Sequence, residues 1–438
     1  MGAERRQLSL GAFLMNYGHH IAAWRHPGSA GVGAVDYDFY KRCAQAAERG
    51  KFDMVFLADN NSIPLIEDLR TNVSFLQPEA LTMISSLAGV TEHVGLAGTA
   101  STTFNEPYAL ARRLSTLDHI SGGRAAWNVV TSTKDAEARN FGSAELMEHG
   151  KRYERAEEFL RAVMECWDSW EDDALVLDRQ RAVFADTTRI HRIQHEGAFF
   201  RVEGPLNMPR SPQGRPIIIE AGTSAAGRRL AAQTADVVFT ACESKEDAIR
   251  YYREFKDLLK GYGREGEEVK VLPGLLIFLG ESEAEALAYH RAFSELILPG
   301  AGVKYLSQLL NADLTEYPVD GPLPDLPREG NSSRAIMIMD MAAKSGMSIL
   351  ELGRHYAVAR GHMTMIGTPQ QIADWIEDWF RSGACDGFNI MAPLLPSGLE
   401  QFVEGVVPLL QQRGLFREDY TGRTLRDHLG LKRPETQH

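Results

Sequence analysis

Residues 94–153 restrict the fold more than any other stretch of the chain. Two short apolar runs, Val94–Ala97 and Ala125–Val130, each end among small hydroxyl or amide residues. These are Thr99, Ser101, Thr102 and Thr103 after the first run, and Asn128, Thr131 and Ser132 around the end of the second. Between the runs, Pro107–Ile120 has helical periodicity and is closed by Ser121-Gly122-Gly123. Strand, polar tip, helix, glycine stop, strand, polar tip is the grammar of a parallel α/β sheet. There both tips lie at the carboxyl edge, where ligands bind.

The same grammar extends along the chain. Strands are predicted at Leu8–Met15, Phe52–Leu57, Pro216–Glu220, Asp236–Thr240, Val269–Leu279 and Gly387–Met391, with helices between them. Arg152–Trp170 carries Phe159, Leu160, Val163, Met164 and Trp167 on one face, the spacing of an amphipathic helix. Two stretches lose the rhythm, at about 171–215 and 297–365, and 414–438 reads as a polar tail. Eight strands alternating with helices make a (β/α)8 TIM barrel with insertions the economical fold, carried by one domain over 1–438. A doubly wound nucleotide fold is disfavoured, because Gly31-Val32-Gly33 neither follows the first strand nor continues as G-x-G-x-x-G.

Composition excludes several functions. A formal net charge of −12 is wrong for phosphate-backbone binding, so no nucleic-acid partner is expected. The amino-terminal MGAERRQLSLGAF is too polar for a signal peptide, Arg6 breaks the myristoylation pattern, and no apolar run reaches membrane-spanning length. Cys43, Cys166, Cys242 and Cys385 are far apart, which argues against disulfides or zinc and for a cytoplasmic location. His191 and His195 have helical metal-ligand spacing but fall in the first insertion, where solvated surface is the simpler reading. No metal site is expected.

In a barrel, the strand ends form the functional rim. They supply Asn16, His19, His20, Asp59, Thr102, Thr103, Asn128, Thr131, Gly222, Thr223, Ser224, Cys242 and Glu243. This rim is rich in neutral hydrogen-bonding groups and poor in acids and bases, which suits a polar heterocycle. Ser224, between a strand and a helix in AGTSAAGRR, is a phosphate candidate, and an N-cap role alone would also explain it. Tyr153 either reaches the same phosphate or fills a helix seam. Asp59 either binds a ring N–H or ties down its loop, and His149 is either a ligand or a helix-entry residue.

The combination of Leu117-Asp118-His119-Ile120-Ser121-Gly122-Gly123-Arg124 with Trp127-Asn128-Val129-Val130-Thr131-Ser132 is distinctive. So are WRHP at 24–27, EARNFG at 137–142, GPLN at 204–207, RSPQG at 210–214 and the carboxyl-terminal RGLFREDYTGRTLRDHLGL. Together they resemble two-component flavin-dependent monooxygenases of the bacterial-luciferase superfamily, of the nitrilotriacetate, dibenzothiophene-sulfone and pristinamycin-synthase type. The resemblance implies a luciferase-like barrel. It implies reduced FMN (FMNH2) delivered by a separate NAD(P)H:flavin reductase, O2 as co-substrate, and a peroxyflavin acting on a small sulfur- or nitrogen-containing or xenobiotic substrate. It places FMN contacts at Asp59, Thr103, Asn128, His149, Tyr153 and Ser224, with Thr102 the alternative to Thr103. His20 would lie on the substrate side, and Asn128, Thr131 or His20 would steer the oxygen chemistry. Arg25, His26, Arg354, His355, Arg360 and His362 are cations that either meet an anionic substrate or lie on the surface. The 297–365 insertion is expected to act as a lid, and the assembly to be a homodimer or homotetramer. A deazaflavin-dependent oxidoreductase and a non-catalytic flavin-binding homologue are the alternatives.

Overall fold

The computed structural model describes residues 6–29, 35–63, 66–71, 73, 76–222, 224–242, 244–328, 333–436 and 438. Gly31-Val32-Gly33, Thr223 and Glu243 lie outside the described residues.

Nine parallel strands make the main sheet: β1 (Ser9–Leu14), β2 (Met54–Leu57), β3 (Gly95–Ser101), β4 (Ala125–Val130), β5 (Ile217–Ala221), β6 (Val237–Thr240), β7 (Lys270–Leu279), β8 (Met363–Gly367) and β9 (Gly387–Met391). Eight of them close a barrel in the order β1-β2-β3-β4-β5-β6-β7-β9, with β9 returning to β1. The expected TIM barrel is present, with helices outside it. β8 is additional. It pairs with the second half of β7, from Leu275 to Leu279, whereas β6 pairs with the first half. The sequence had merged this strand into the 297–365 insertion. MTMIG follows its helix with only an Arg-Gly turn and is half-buried over most of its length, so neither punctuation nor a buried run marks it. The same insertion also holds helices at Pro299–Leu310, Ser333–Ser345 and Ile349–Ala359.

Local chemistry explains the alternation. The helix Tyr37–Arg49 (α1) is capped by Asp36, whose carboxylate accepts the Asp38 and Phe39 N–H groups. The helix Pro107–Ser121 (α2) opens with proline in its first turn and stops at Gly122, which takes a left-handed φ of 71° that a side chain would resist. The long helix beyond β4 (α3, His149–Asp168), after a short helix at Asp135–Asn140, starts three residues earlier than its apolar face suggested, because Glu148 caps it through the Gly150 and Lys151 N–H groups. The helix Ala225–Thr234 (α4) follows β5.

The base of the barrel is knitted by aspartates that immediately precede strands. Asp53 accepts from Leu10 N–H at 2.6 Å and pairs with Arg417 at 2.5 Å. Asp236 accepts from Ile218 N–H at 2.9 Å and pairs with Arg426 at 2.8 Å. Asp386 accepts from Val271 N–H at 2.9 Å and pairs with Lys256 at 2.9 Å. Arg417 and Arg426 belong to the segment read as a polar tail. Leu425, Leu429 and Leu431 of that segment are buried with the barrel's inner side chains, so 414–438 seals the base. Arg124 is buried there as well and donates to the carbonyls of Ala88, Thr91 and Val94. The LDHISGGR half of the distinctive motif is therefore scaffold.

The first insertion forms two hairpins, Leu175–Asp178 with Val183–Ala185 and His195–Glu196 with Arg201–Val202. His195 is a correction to the surface reading. It is buried, bonded through Nδ1 to Glu165 at 2.7 Å, and sits beside Glu158. His191 pairs separately with Glu171. Among the described residues no group of three or more His, Cys, Asp or Glu is arranged to hold a metal ion, and no helix is long and apolar enough to cross a membrane.

Candidate active site

The carboxyl ends of β2, β3, β4 and β5 surround a cavity of about 600 Å³, within the roughly 300–1,000 Å³ usual for cofactor sites. Asp59, Thr99, Ser101, Thr131, Ser132, Tyr153, Glu220 and Gly227 are among the residues that line it.

The tips of β3 and β4 are cross-linked by their short polar side chains. Thr99 Oγ1 donates to the Leu57 carbonyl at 2.8 Å, and Asn128 Nδ2 donates to Thr99 Oγ1 at 2.8 Å. A hydroxyl has one proton, and Thr99 spends it on Leu57. Its oxygen must therefore accept from Asn128, which fixes the amide orientation. Asn128 Oδ1 is left buried without a hydrogen-bond partner. Ser101 and Ser132 hydroxyls bond at 2.9 Å, and Thr103 Oγ1 donates to the Thr131 carbonyl at 2.7 Å. Thr103 thus braces the two tips and is not itself a lining residue, whereas Thr131 is.

At one side Asp59 accepts from Ala80 N–H at 3.1 Å, tying the β2 end to the next helix. Burial pushes its carboxyl up to about 6, against the bond from Ala80. The other side is the start of α4. Ser224 is its N-cap, with Oγ accepting from Gly227 N–H at 3.1 Å, as the capping alternative predicted. A Cβ on Gly227 would lie 3.2 Å from Ser224 Oγ and 3.2 Å from Tyr153 Oη. Glycine at this position lets two hydroxyls and the first turn of a helix converge. The His149 and Tyr153 rings are 5.0 Å apart, so His149 reaches the cavity only through its neighbour.

His20 is not brought to this cavity. It is buried against Phe293 at 5.0 Å, its Nδ1 accepts from Ala22 N–H, and its Nε2 has no hydrogen-bond partner. Burial, with Arg360 and His290 nearby, lowers its pKa to about 3. It is a neutral imidazole at physiological pH. Of the cations considered, Arg360 donates to the His19 carbonyl at 3.0 Å and His362 stacks on Phe239 at 5.2 Å, while Arg354 and His355 are exposed. His26 stacks on Phe293 at 4.7 Å, and Arg25 donates to the Leu296 carbonyl.

Glu220 was missed. It ends the apolar run PIIIE, lines the cavity, accepts from Thr234 Oγ1, and is pushed up to about 7 by burial. Its one sequence signal is a carboxylate at the end of the apolar run Pro216–Ile219. The stacked pair Phe104–Phe141, centroids 4.5 Å apart, was also missed and lines the same cavity.

The fold is a parallel β/α barrel whose carboxyl-end cavity is lined by hydroxyl and amide groups together with carboxylates and the cations Arg113 and Lys134. Residues 15–386 match the luciferase-like monooxygenase family, and the chain belongs to that family. It is 45% identical over 439 residues to N-acetyl-S-(2-succino)cysteine monooxygenase of Bacillus subtilis (strain 168), covering 99% of each chain. It is 45% identical over 447 residues to nitrilotriacetate monooxygenase component A of Aminobacter aminovorans, covering 99% of this chain and 98% of the relative. Among solved structures, the EDTA monooxygenase (EmoA) of Chelativorans sp. BNC1 superposes with a TM-score of 0.84 at 33% identity, covering 98% of this chain and 99% of that one.

Proposed function

We propose that this enzyme is the oxygenase component of a two-component monooxygenase that uses reduced FMN and O2. The observation that carries the reading is the convergence of Ser224 Oγ, Tyr153 Oη and the first turn of α4 beside Gly227, at one side of the cavity. A helix N-terminus with two hydroxyls suits a phosphate. Across the cavity, Asp59 and the tips of β3 and β4, with Asn128 behind Thr99, suit a heterocycle with N–H and C=O groups. The residues present therefore fit FMN. Ser224 and Tyr153 would hold its phosphate, with His149 acting through Tyr153, and Asp59, Asn128 and Thr103, the last through Thr131, would hold its ring.

When bound and reduced, the flavin supplies the two electrons that activate O2, one oxygen atom passing to substrate and the other leaving as water. The residues of this chain orient the ring and keep bulk water out. Asn128 offers a fixed acceptor, Thr131 a hydroxyl at the rim, and His20 a neutral imidazole in the region facing the 297–365 insertion, which we read as a lid. The substrate is a small sulfur- or nitrogen-containing or xenobiotic molecule. The names of the relatives, a succinated cysteine derivative and two amino-polycarboxylates, support that class. The name "component A" supports a separate reductase as electron source. Four buried free cysteines support a reducing cytoplasm.

The test supplies FMNH2 continuously from an NAD(P)H:flavin reductase and screens carboxylated thioethers, amino-polycarboxylates and sulfones. Oxygenated product appearing in proportion to O2 consumed is the expected result. Hydrogen peroxide as the sole product of O2 across the whole panel would overturn the reading.

A further inference from the structure

Two cations from distant parts of the chain lie within electrostatic reach of each other at the barrel mouth. Lys134 stands in the loop that follows β4 and lines the cavity, half-buried. Arg360 ends the helix Ile349–Ala359 of the second insertion. It holds a left-handed φ of 54°, which a long side chain rarely adopts. Its Nε donates to the His19 carbonyl at 3.0 Å, and that bond sets the plane of the guanidinium. Burial lowers the Lys134 pKa, Glu137 opposes the shift, and Arg360 adds to it. Arg360 likewise adds to the effect of burial at His19 and His20. The second insertion therefore brings a fixed positive charge beside a lysine and two neutral imidazoles. Nε2 of His20 is buried there without a hydrogen-bond partner.

The carboxylates of the cavity are engaged in holding the fold. Glu137 accepts from the N–H groups of Asn61 at 3.2 Å and Thr133 at 3.3 Å. Glu79 accepts from those of Leu81 and Thr82, Asp59 from that of Ala80, and Glu220 from the Thr234 hydroxyl. Arg113, a second cation at the cavity wall, donates to Asn105 Oδ1 at 3.2 Å and to the Ala109 carbonyl at 3.4 Å. Like charges held near each other in a partly buried site repel, and an anion between them relieves the repulsion.

We propose that Lys134 and Arg360 form an anion clamp that receives a carboxylate of the substrate. The inference rests on the flavin reading of this cavity. The helix start at Ser224 accounts for one anion, the flavin phosphate, and the clamp accounts for a second, carried by the substrate. Arg360 offers the planar fork that suits a carboxylate, and Lys134 adds a compact point charge. Within the substrate class proposed above, the clamp selects carboxylated thioethers and amino-polycarboxylates over neutral sulfones.

Calorimetric titration of the full chain, with FMN present and absent, tests the clamp. The probes are thiodiglycolate and nitrilotriacetate, each beside its uncharged amide. At least one acid is expected to bind about tenfold more tightly than its amide, as charge-assisted hydrogen bonds allow. Lys134→Met and Arg360→Gln should each weaken that acid about tenfold and leave the amide unchanged, and Lys134→Arg should keep the wild-type affinity. FMN affinity, titrated in the same variants, should stay at the wild-type value. No binding of either acid, equal affinity for acids and amides, or a Lys134→Met variant that loses both alike would overturn the clamp. A chain that binds no FMN and yet keeps the Lys134-dependent preference for acids would overturn the flavin reading and support the clamp.

Discussion

Thr99 shows how much of this site rests on one proton. Its hydroxyl donates to Leu57 and accepts from Asn128, so the Asn128 carbonyl oxygen has one available direction. Valine at position 99 keeps the shape and removes both bonds. Thr99→Val should then release the Asn128 amide and weaken reduced-FMN binding about fivefold, since a hydrogen bond contributes about 1 kcal/mol. Anaerobic titration reads the affinity, and the fraction of O2 released as peroxide should rise in the same variant. Unchanged affinity and unchanged peroxide would mean that Asn128 needs no orienting. Asn128 itself was legible in the sequence, as the amide near the end of an apolar strand. The bond that orients it was not, because Thr99 lies 29 residues away on another strand. Glu220 was hidden for a related reason. A carboxylate closing PIIIE reads as the end of a strand, and only the packed structure shows the buried space beside it.

Among elements, the strand β5 and helix α4 carry the most specific claim. The Ser224 cap and the Gly227 gap make that helix start a structural terminus and, in the proposed reading, the seat of the FMN phosphate. Ser224→Ala should cost about 1 kcal/mol of stability as a lost cap. It should also reduce the preference for FMN over riboflavin, which lacks the phosphate. Paired titrations with the two flavins separate these effects: a purely structural role would weaken both equally. The strands and helices that position this site were readable because each apolar run ends in a polar tip and most helices carry a cap or a glycine stop. β8 was not readable, because it has only the C-terminal half of β7 to pair with and only the short turn at Arg360-Gly361 divides it from the preceding helix. The hairpins of the first insertion were only partly readable, since Leu177 and Ala182 adopt positive φ without glycine.

At the scale of the whole molecule, the candidate site lies at one end of the barrel and the buried ion pairs that stabilise the fold lie at the other. Asp236 is buried, and although burial opposes ionisation, Arg426 holds its carboxyl below the usual range. A carboxylate with a depressed folded pKa stabilises the fold above the unfolded value of about 3.9 and loses that contribution as pH falls through the folded value. Arg426→Met removes the hydrogen-bonded partner, leaves Arg215 as the nearby cation, and should destabilise by about 3 kcal/mol at pH 7. The gap to wild type should narrow toward pH 4, as the carboxyl takes up a proton. Thermal melts at both pH values check this, and a gap that widens on acidification would contradict the pairing. The central claim belongs to the opposite end of the barrel, that this mouth holds reduced FMN and governs its reaction with O2. Anaerobic enzyme titrated with FMNH2 and then mixed rapidly with oxygenated buffer tests it most directly. One flavin bound per chain, reoxidising more slowly than free FMNH2, is the predicted result. Reoxidation at the free-solution rate, with stoichiometric peroxide, would contradict it.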